Sequence, residues 1–205
     1  MSQNAVLSRF KAHLLLTLFL AGSSAVLNGC ALLVVGGAAA GGYYVLAQER
    51  SAETTMNDLK TKTLIHDRLA EASTEYLKDT SVFVLDGTVL LTGVVPTPED
   101  AATIKRLTSQ VAGVATVYSE LWTDGNYTAG DYADDNWIGT QLRARLIADK
   151  DVHTVNYDIS IVRGHVYLFG IALSADEQNA AVQIARTTKG VRKVHNYLFI
   201  KPDND

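Results

Sequence analysis

Histidine, cysteine and adjacent carboxylates are the side chains of this sequence that could perform chemistry. The five histidines do not have the spacing of metal ligands, and the single cysteine, Cys30, cannot complete a cysteine–histidine site. Asp134 and Asp135 are adjacent in a segment rich in Gly, Asn, Asp and Tyr, which is typical of a solvated loop rather than of a catalytic carboxylate pair. The stretch GGAAAGG lacks the lysine and the strand-to-helix setting of a phosphate-binding loop. We therefore expect no enzymatic activity, and neither a cofactor nor a bound metal ion.

Cys30 suits a different chemistry, because an export signal precedes it. Residues 1–29 contain two basic residues, an apolar run and a small-residue exit, which is the order of a secretory signal peptide. An unpaired thiol in an exported chain is open to oxidation. Leu27 to Cys30, LNGC, resemble a bacterial lipobox, and this resemblance implies that Cys30 is acylated. By the same resemblance, Ala31 implies sorting to the outer membrane, where several acyl chains form a stable anchor.

Residues 31–47 follow this cysteine without a single charge. A transmembrane helix is one interpretation, but four glycines in two pairs lower helix propensity by about 1 kcal/mol each. We favour an apolar tether that lies on or near the lipid surface. The formal net charge of the whole chain is -4, which argues against a nucleic-acid partner.

A gapless internal repeat organises the remainder of the chain. Three glycines recur at an interval of 77 residues: Gly87 with Gly164, Gly93 with Gly170, and Gly113 with Gly190. Apolar residues recur at the same interval, among them Leu91 with Leu168. The chain therefore contains two copies of one module.

Each copy is predicted to have the order αββαβ. The first helix is predicted at about residues 56–72 and 136–148, and its buried stripe contains Ile65, Leu69, Ile138, Leu142 and Leu146. Two alternating strands follow, joined by a tight turn at Asp86-Gly87 or Arg163-Gly164. Thr97 and Ser174 are expected to cap the second helix, and Gly113 and Gly190 to end it. The fold class is α+β, with a three-stranded mixed sheet and two helices on one of its faces in each module.

These patterns resemble the BON domain. The second copy carries G-x-V-x-L-x-G at residues 164–170, then an acid-capped helix, then Gly190, Val191, Val194, Asn196 and Leu198. Together with the lipobox, the two copies resemble the dual-BON outer-membrane lipoproteins of proteobacteria. We therefore divide the chain into a signal peptide (1–29), a lipidated N-terminus with its tether (30–52), a first BON domain (53–122), a linker (123–135) and a second BON domain (136–201).

The two modules differ in charge. Residues 53–121 contain six basic and ten acidic residues, whereas residues 138–201 contain nine basic and five acidic residues. The linker adds four aspartates: Asp124, Asp131, Asp134 and Asp135. A cationic module held near a membrane is attracted to anionic headgroups, so the sequence favours a membrane contact by the second module.

Trp137 and Ile147 also distinguish the second module. The matching positions of the first copy hold Lys60 and Ala70, so the fold does not require an aromatic residue there. We expect apolar residues on the outer helix face of the second module alone. A tryptophan and an isoleucine flanked by arginines suit the headgroup boundary of a bilayer. The alternative is that Trp137 packs the helix start against the linker or the first module.

The dual-BON resemblance implies a function for this helix, namely binding of anionic phospholipid such as cardiolipin or phosphatidylglycerol. It also implies that the protein supports outer-membrane integrity from the periplasmic side. The implied contact residues are Trp137, Thr140, Arg143, Ala144 and Ile147. An alternative function is a protein-interaction adaptor that uses the same surface for an envelope-assembly component or a cell-wall enzyme. A periplasmic chaperone is a third hypothesis, although the sequence shows no groove for a client.

Overall fold

Two successive copies of one helix–hairpin–helix–strand unit make up residues 52–201, which are the residues that the computed structural model describes. The first copy contains α1 (Ala52–Ala72), the one-turn helix α2 (Glu75–Lys78), β1 (Thr80–Leu85), β2 (Thr88–Val94), α3 (Pro98–Ser109) and β3 (Thr116–Trp122). The second contains α4 (Ala129–Ala148), a 3-10 turn (Thr154–Asn156), β4 (Tyr157–Val162), β5 (His165–Ala172), α5 (Ala175–Arg186) and β6 (Lys193–Ile200). The predicted αββαβ order and α+β class are confirmed. The predicted signal peptide, Cys30 and the apolar segment 31–47 lie outside the described residues.

Each copy forms a three-stranded mixed sheet. The hairpin strands β1 and β2 are antiparallel, and β3 returns parallel to β2; β4, β5 and β6 repeat this arrangement. The crossover helix and the first helix pack on the same face, where Leu91 and Leu168 are fully buried at the centres of the two cores. None of the helices within residues 52–201 is both long and apolar enough to cross a membrane.

The other face of each sheet packs against the neighbouring sheet. This third core contains Leu85, Leu90, Val94, Val162, Tyr167 and Phe169. The central strands β2 and β5 are consequently buried on both faces, rather than alternating between core and solvent as the sequence analysis expected. A hydrogen bond between the Thr92 and Ser160 hydroxyls, 2.7 Å long, joins the two sheets within this interface.

Both hairpin turns have the predicted tight geometry. Asp86 and Arg163 have φ values of 45° and 54°, and the glycines that follow them have φ values of 73° and 74°. A non-glycine residue in this left-handed region is strained, so the surrounding structure has to stabilise the turn. At the second turn Asp135 does so by accepting hydrogen bonds from the amides of Arg163, at 2.6 Å, and Gly164, at 2.7 Å.

The prediction that Asp135 lies in a solvated loop is therefore wrong. Its side chain is 5% exposed and also accepts a hydrogen bond from the Tyr127 hydroxyl at 2.7 Å. The reason is that α4 begins at Ala129, seven residues earlier than predicted, so that residue 135 lies on the inner side of a helix. Thr128 and Asp131 form a capping box that fixes this earlier start.

The longer helix also changes the charge of the second copy. Counted from residue 129 to residue 201, it holds nine basic and eight acidic residues, because three of the linker aspartates belong to α4. The strongly cationic module that the sequence analysis expected is therefore nearly neutral. Any preference for anionic ligands has to come from the local placement of its basic side chains.

The crossover helices α3 and α5 begin as predicted but end earlier. Thr97 and Ser174 accept hydrogen bonds from backbone amides three residues later, as expected of N-caps. The helices end at Ser109 and Arg186, so Gly113 and Gly190 are not their C-caps. These glycines instead have φ of 93° in the loop before the last strand. A Cβ at Gly190 would lie 2.9 Å from Ile138, so the glycine allows close contact with α4.

Candidate functional site

The outer face of α4 carries most of the predicted contact residues. Trp137 and Ile147 are 64% and 71% exposed, and Thr140 and Ala144 between them are also exposed. The opposite face holds the predicted core residues, all of them buried: Ile138, Leu142 and Leu146. Helical periodicity separates these two faces, so the apolar side chains at positions 137 and 147 project away from the core of their own module.

Arg143 and Arg145 project from α4 toward other elements of the module. Arg143 Nη2 donates to the Ile159 carbonyl oxygen at 3.1 Å. Arg145 Nη1 donates to Thr188 Oγ1 at 2.7 Å, and its Nη2 donates to Thr187 Oγ1 at 2.9 Å. Both guanidinium groups therefore brace α4 against β4 or the end of α5, although Arg143 itself is exposed.

Exposed apolar residues also occur on the first helix of the first copy. Met56 and Leu59 are 63% and 57% exposed, and Leu64 is partly exposed. The expectation that the second module alone has such residues is therefore wrong. At these positions the second copy holds the smaller or polar residues Ala133 and Asn136 in place of Met56 and Leu59. A solvent-facing helix position accepts a single apolar residue at little cost, so the repeat imposes no rule there.

Tyr132 is an exposed aromatic residue of α4 that the sequence analysis missed. It was assigned to the linker because the helix was predicted to begin at residue 136. The signal that could have revealed it is the pair Thr128 and Asp131, whose three-residue spacing is that of a capping box. With Tyr132 included, the exposed side of α4 carries two aromatic residues and one large aliphatic residue, Ile147.

A cleft of about 320 Å³ opens beside Trp137, which forms part of its wall. It lies between α4, the β4–β5 turn and the loop that connects α5 to β6, and three basic residues line it: Arg163, Lys189 and Arg192. The Arg163 guanidinium forms a bidentate ion pair with Asp124 and lies over the Trp122 ring at 5.2 Å from the centroid. We call this space the Trp137 cleft.

A buried carboxylate holds the second module together away from this surface. Glu177 accepts hydrogen bonds from the His153 amide and the Tyr157 hydroxyl, both at 2.7 Å, and from the Leu173 amide at 2.8 Å. Burial alone would raise the pKa of Glu177, but these donors together hold the pKa below its ordinary value. Glu177 lies in the acidic first turn of α5 and joins three segments of the module.

A cluster of polar and aromatic side chains lies where the two copies meet. His165 Nδ1 and His195 Nε2 are 3.2 Å apart, and His195 Nδ1 lies 3.6 Å from a carboxylate oxygen of Glu120. Tyr167 stacks on His195 and accepts a hydrogen bond from the Trp122 indole nitrogen. Burial lowers the pKa of both histidines. Within residues 52–201, no group of three or more His, Cys, Asp or Glu side chains is arranged to hold a metal ion.

The two copies match one known domain. The sequence pattern described as the BON domain matches residues 57–123 and 134–202. The chain belongs to the BON domain family. The two matches cover the two αββαβ copies, so the resemblance inferred from the glycine spacing is confirmed, and we call the copies the first and second BON modules.

Curated proteins that are similar to this chain include the following three. An uncharacterized protein in the gshII 5' region of Anaplasma centrale is 38% identical over 122 residues, which cover 59% of this chain and 81% of that protein. The 21 kDa hemolysin of Actinobacillus pleuropneumoniae is 32% identical over 56% of this chain and 58% of its own length. Outer membrane lipoprotein DolP of Haemophilus influenzae is 32% identical over 53% of this chain and 56% of its own length. The chain thus spans less than two thirds of the last two relatives.

A solved structure of low similarity is the C-terminal domain of CdsD, the structural protein of the type III secretion system of Chlamydia trachomatis. It is 15% identical, with a TM-score of 0.30, over 68% of this chain and 96% of that domain. This similarity is too low to carry a functional argument.

Proposed function

We propose that this protein is a non-enzymatic lipoprotein of the outer membrane. In this proposal residues 1–29 are removed, Cys30 carries the lipid anchor, and the two BON modules face the periplasm. The second module then docks on anionic phospholipid through the outer face of α4 and supports outer-membrane integrity. The relative named Outer membrane lipoprotein DolP and the shared BON architecture support this location.

The exposure of Trp137 and Ile147 on one helix is the observation that carries the proposal. Their positions are ten residues apart, so they lie about 15 Å apart along the helix axis. The indole has an apolar body and a polar N–H that suit the headgroup boundary, and an isoleucine beside it can enter the acyl region. Tyr132 adds a second amphipathic ring to the exposed side of the helix.

The anchor makes such a small contact sufficient. Moving one Trp or Ile side chain out of water contributes roughly 1.5–3 kcal/mol, so two of them bind weakly by themselves. A chain attached to the same membrane through Cys30 meets the lipid surface at a high effective concentration, and the second contact becomes intramolecular. Module docking then orients the protein on a surface to which it is already bound.

Vesicle flotation tests the proposal. All three hydrophobic cores lie within residues 52–201, so the fragment Gln48–Asp205 retains every packed contact described above. We expect this fragment to float with vesicles of phosphatidylglycerol and phosphatidylcholine and not with phosphatidylcholine alone. Trp137→Glu should reduce flotation by about tenfold or more, because it places a charge at the apolar boundary.

Leu59→Glu is the matched control, since it introduces the same charge at an exposed apolar position of α1. It should float like the wild type. Equal flotation of Trp137→Glu and wild-type fragments would refute docking through α4. Equal losses in both variants would indicate that the added charge, rather than the α4 surface, determines binding.

The protein-interaction adaptor that uses the α4 surface is the second candidate, and the exposed Met56 and Leu59 of α1 favour it because they add a second apolar surface. Two exposed apolar helix faces on one protein can contact a protein partner as well as a membrane. This function would be supported if the fragment captured an envelope protein in the absence of lipid and if Leu59→Glu abolished the capture. A lipid-binding protein needs no such partner.

A further inference from the structure

The Trp137 cleft has the composition of a headgroup site. Lys189 and Arg192 line it from the loop before β6, and both residues are exposed. Neither side chain has a hydrogen bond or an ion pair within the described part of the chain. Arg163, by contrast, is paired with Asp124 and also donates to the Asn126 carbonyl oxygen. Two cations therefore face the cleft with their donors free for a ligand.

The first module contains the same cleft without these charges. A space of about 460 Å³ lies at the matching place, and nine of its ten lining residues are the counterparts, 77 positions earlier, of residues that line the Trp137 cleft. There Lys60 replaces Trp137, Asp86 replaces Arg163, and Ala112 replaces Lys189. Arg192 corresponds to Ala115. The BON fold therefore builds the cleft twice, and only the second copy combines it with an aromatic side chain and free cations.

Three aspartates also line the Trp137 cleft, and they differ in availability. Asp135 is buried and accepts hydrogen bonds from the β4–β5 turn. Asp131 accepts hydrogen bonds from Thr128 in the capping box. Asp134 is exposed and has no hydrogen bond or ion pair among residues 52–201. The cleft thus offers two free cations and one free carboxylate, which together match a phosphodiester that carries hydroxyl groups.

We propose that this cleft binds the headgroup of the phospholipid on which α4 docks. Lys189 and Arg192 bind the phosphodiester oxygens, and Asp134 accepts hydrogen bonds from headgroup hydroxyls such as those of phosphatidylglycerol. Trp137 belongs both to the cleft wall and to the exposed face of α4, so a lipid whose acyl chains lie beneath α4 presents its phosphate at the cleft. The assignment rests on the proposed docking function and gives it a lipid preference.

Removing the two cations is the first test. Lys189→Ala/Arg192→Ala introduces the two alanines found in the first module, so the fold tolerates them. In the fragment Gln48–Asp205, this variant should lose about tenfold in affinity for phosphatidylglycerol vesicles. Lys105→Ala/Arg106→Ala, an exposed pair on α3, changes the net charge equally and should lose far less. Equal losses in the two double variants would overturn the cleft while leaving docking through Trp137 intact.

Asp134→Ala gives a test whose sign separates recognition from general charge attraction. Removing an acid should strengthen binding to any anionic surface if only net charge matters. The cleft proposal requires the opposite, namely a severalfold loss for phosphatidylglycerol and none for phosphatidylmethanol, which has the same charge and no hydroxyl groups. Stronger binding of both lipids by Asp134→Ala would overturn the assignment.

The soluble headgroup glycerophosphoglycerol tests the cleft without a bilayer. It should shift the backbone amide NMR signals of Gly164 and Gly190, which line the cleft, and not do so in Lys189→Ala/Arg192→Ala. If the wild-type protein does not bind vesicles but shows these shifts, the docking function is wrong and headgroup binding in the cleft is supported. Absence of shifts overturns the cleft, and equal shifts with inorganic phosphate overturn the headgroup assignment.

Discussion

Asp58 and Asp135, which are 77 residues apart, have the same structural role in the two modules. Asp58 is 7% exposed and accepts a hydrogen bond from the Asp86 amide at 2.9 Å, while Asp135 accepts from the amides of Arg163 and Gly164. In each module a helix carboxylate thus stabilises a hairpin turn in the left-handed region. The duplication preserves this contact although the turn residue itself changes from Asp86 to Arg163.

Asp135→Ala should destabilise the protein by about 3 kcal/mol, because it leaves two turn amides and the Tyr127 hydroxyl without their acceptor. Urea denaturation of the variant measures this change in the free energy of unfolding. Asp135→Asn retains one acceptor oxygen and should recover part of the loss. The neighbouring exposed change Asp134→Ala should stay within about 0.5 kcal/mol of wild type. A loss at residue 134 as large as that at residue 135 would contradict the buried role of Asp135.

Phe169→Ala tests the packing of one sheet against the other. Phe169 is almost fully buried in the core between the modules, and its loss should cost about 3–5 kcal/mol. Because that core joins the modules, we expect unfolding in urea to separate into two transitions, followed by tryptophan fluorescence and circular dichroism. Phe199→Ala removes a partly exposed ring of the same size and should leave one transition. A single unshifted transition in Phe169→Ala would show that the sheets do not stabilise each other.

Acid should destabilise the protein through its buried histidines. Burial lowers the pKa of His165 and His195 below the ordinary value of 6.5, although Glu120 opposes the shift at His195. The unfolded chain then binds more protons than the folded chain near pH 6, so stability is greatest well above pH 6.5 and falls as the pH decreases through that value. Burial also lowers the pKa of His66, which adds to the same slope. The free energy of unfolding, measured between pH 7.5 and 5, should therefore decrease.

The variant His165→Gln/His195→Gln should reduce this slope, because neither side chain can bind the proton. His66→Gln should reduce it separately, since that residue lies in the first module. An unchanged slope in the double variant would show that the two histidines are protonated equally in the folded and unfolded chains.

The sequence predicted the fold of each module because helical spacing and turn residues are local signals. Ile65, Leu69, Leu142 and Leu146 identified the inner helix faces, and all four are fully buried. The contact between the two sheets was not predicted, because alternating strands were expected to have one solvated face. The continuous apolar run VYLFGIA in β5 carried the signal, since burial on both faces removes the alternation of apolar and polar residues.

The candidate site was predicted less completely. The exposure of Trp137 and Ile147 followed from the helical wheel, whereas the direction of Arg143 did not. Tertiary geometry determines whether a long side chain extends into solvent or donates to a backbone carbonyl. No local sequence pattern identifies the Ile159 carbonyl oxygen as the acceptor. Asp135 was different, because the 77-residue interval already paired it with Asp58 and could have revealed its structural role.

Adjacent residues Leu146 and Ile147 separate stability from lipid binding most directly. Leu146 is fully buried, so Leu146→Ala should cost about 2–5 kcal/mol of folding free energy. Ile147 projects to solvent, so Ile147→Ala should leave the free energy of unfolding within about 0.5 kcal/mol of wild type.

On vesicles of phosphatidylglycerol and phosphatidylcholine, the change at residue 147 should have the larger effect. Ile147→Ala should weaken binding by up to about fiftyfold, because three methylene-sized groups leave the acyl region at about 0.8 kcal/mol each. Folded Leu146→Ala, assayed below its melting temperature, should float like wild type. If Ile147→Ala floats as well as the wild type, the outer face of α4 does not enter the bilayer, and the exposed isoleucine has to be explained by a protein partner.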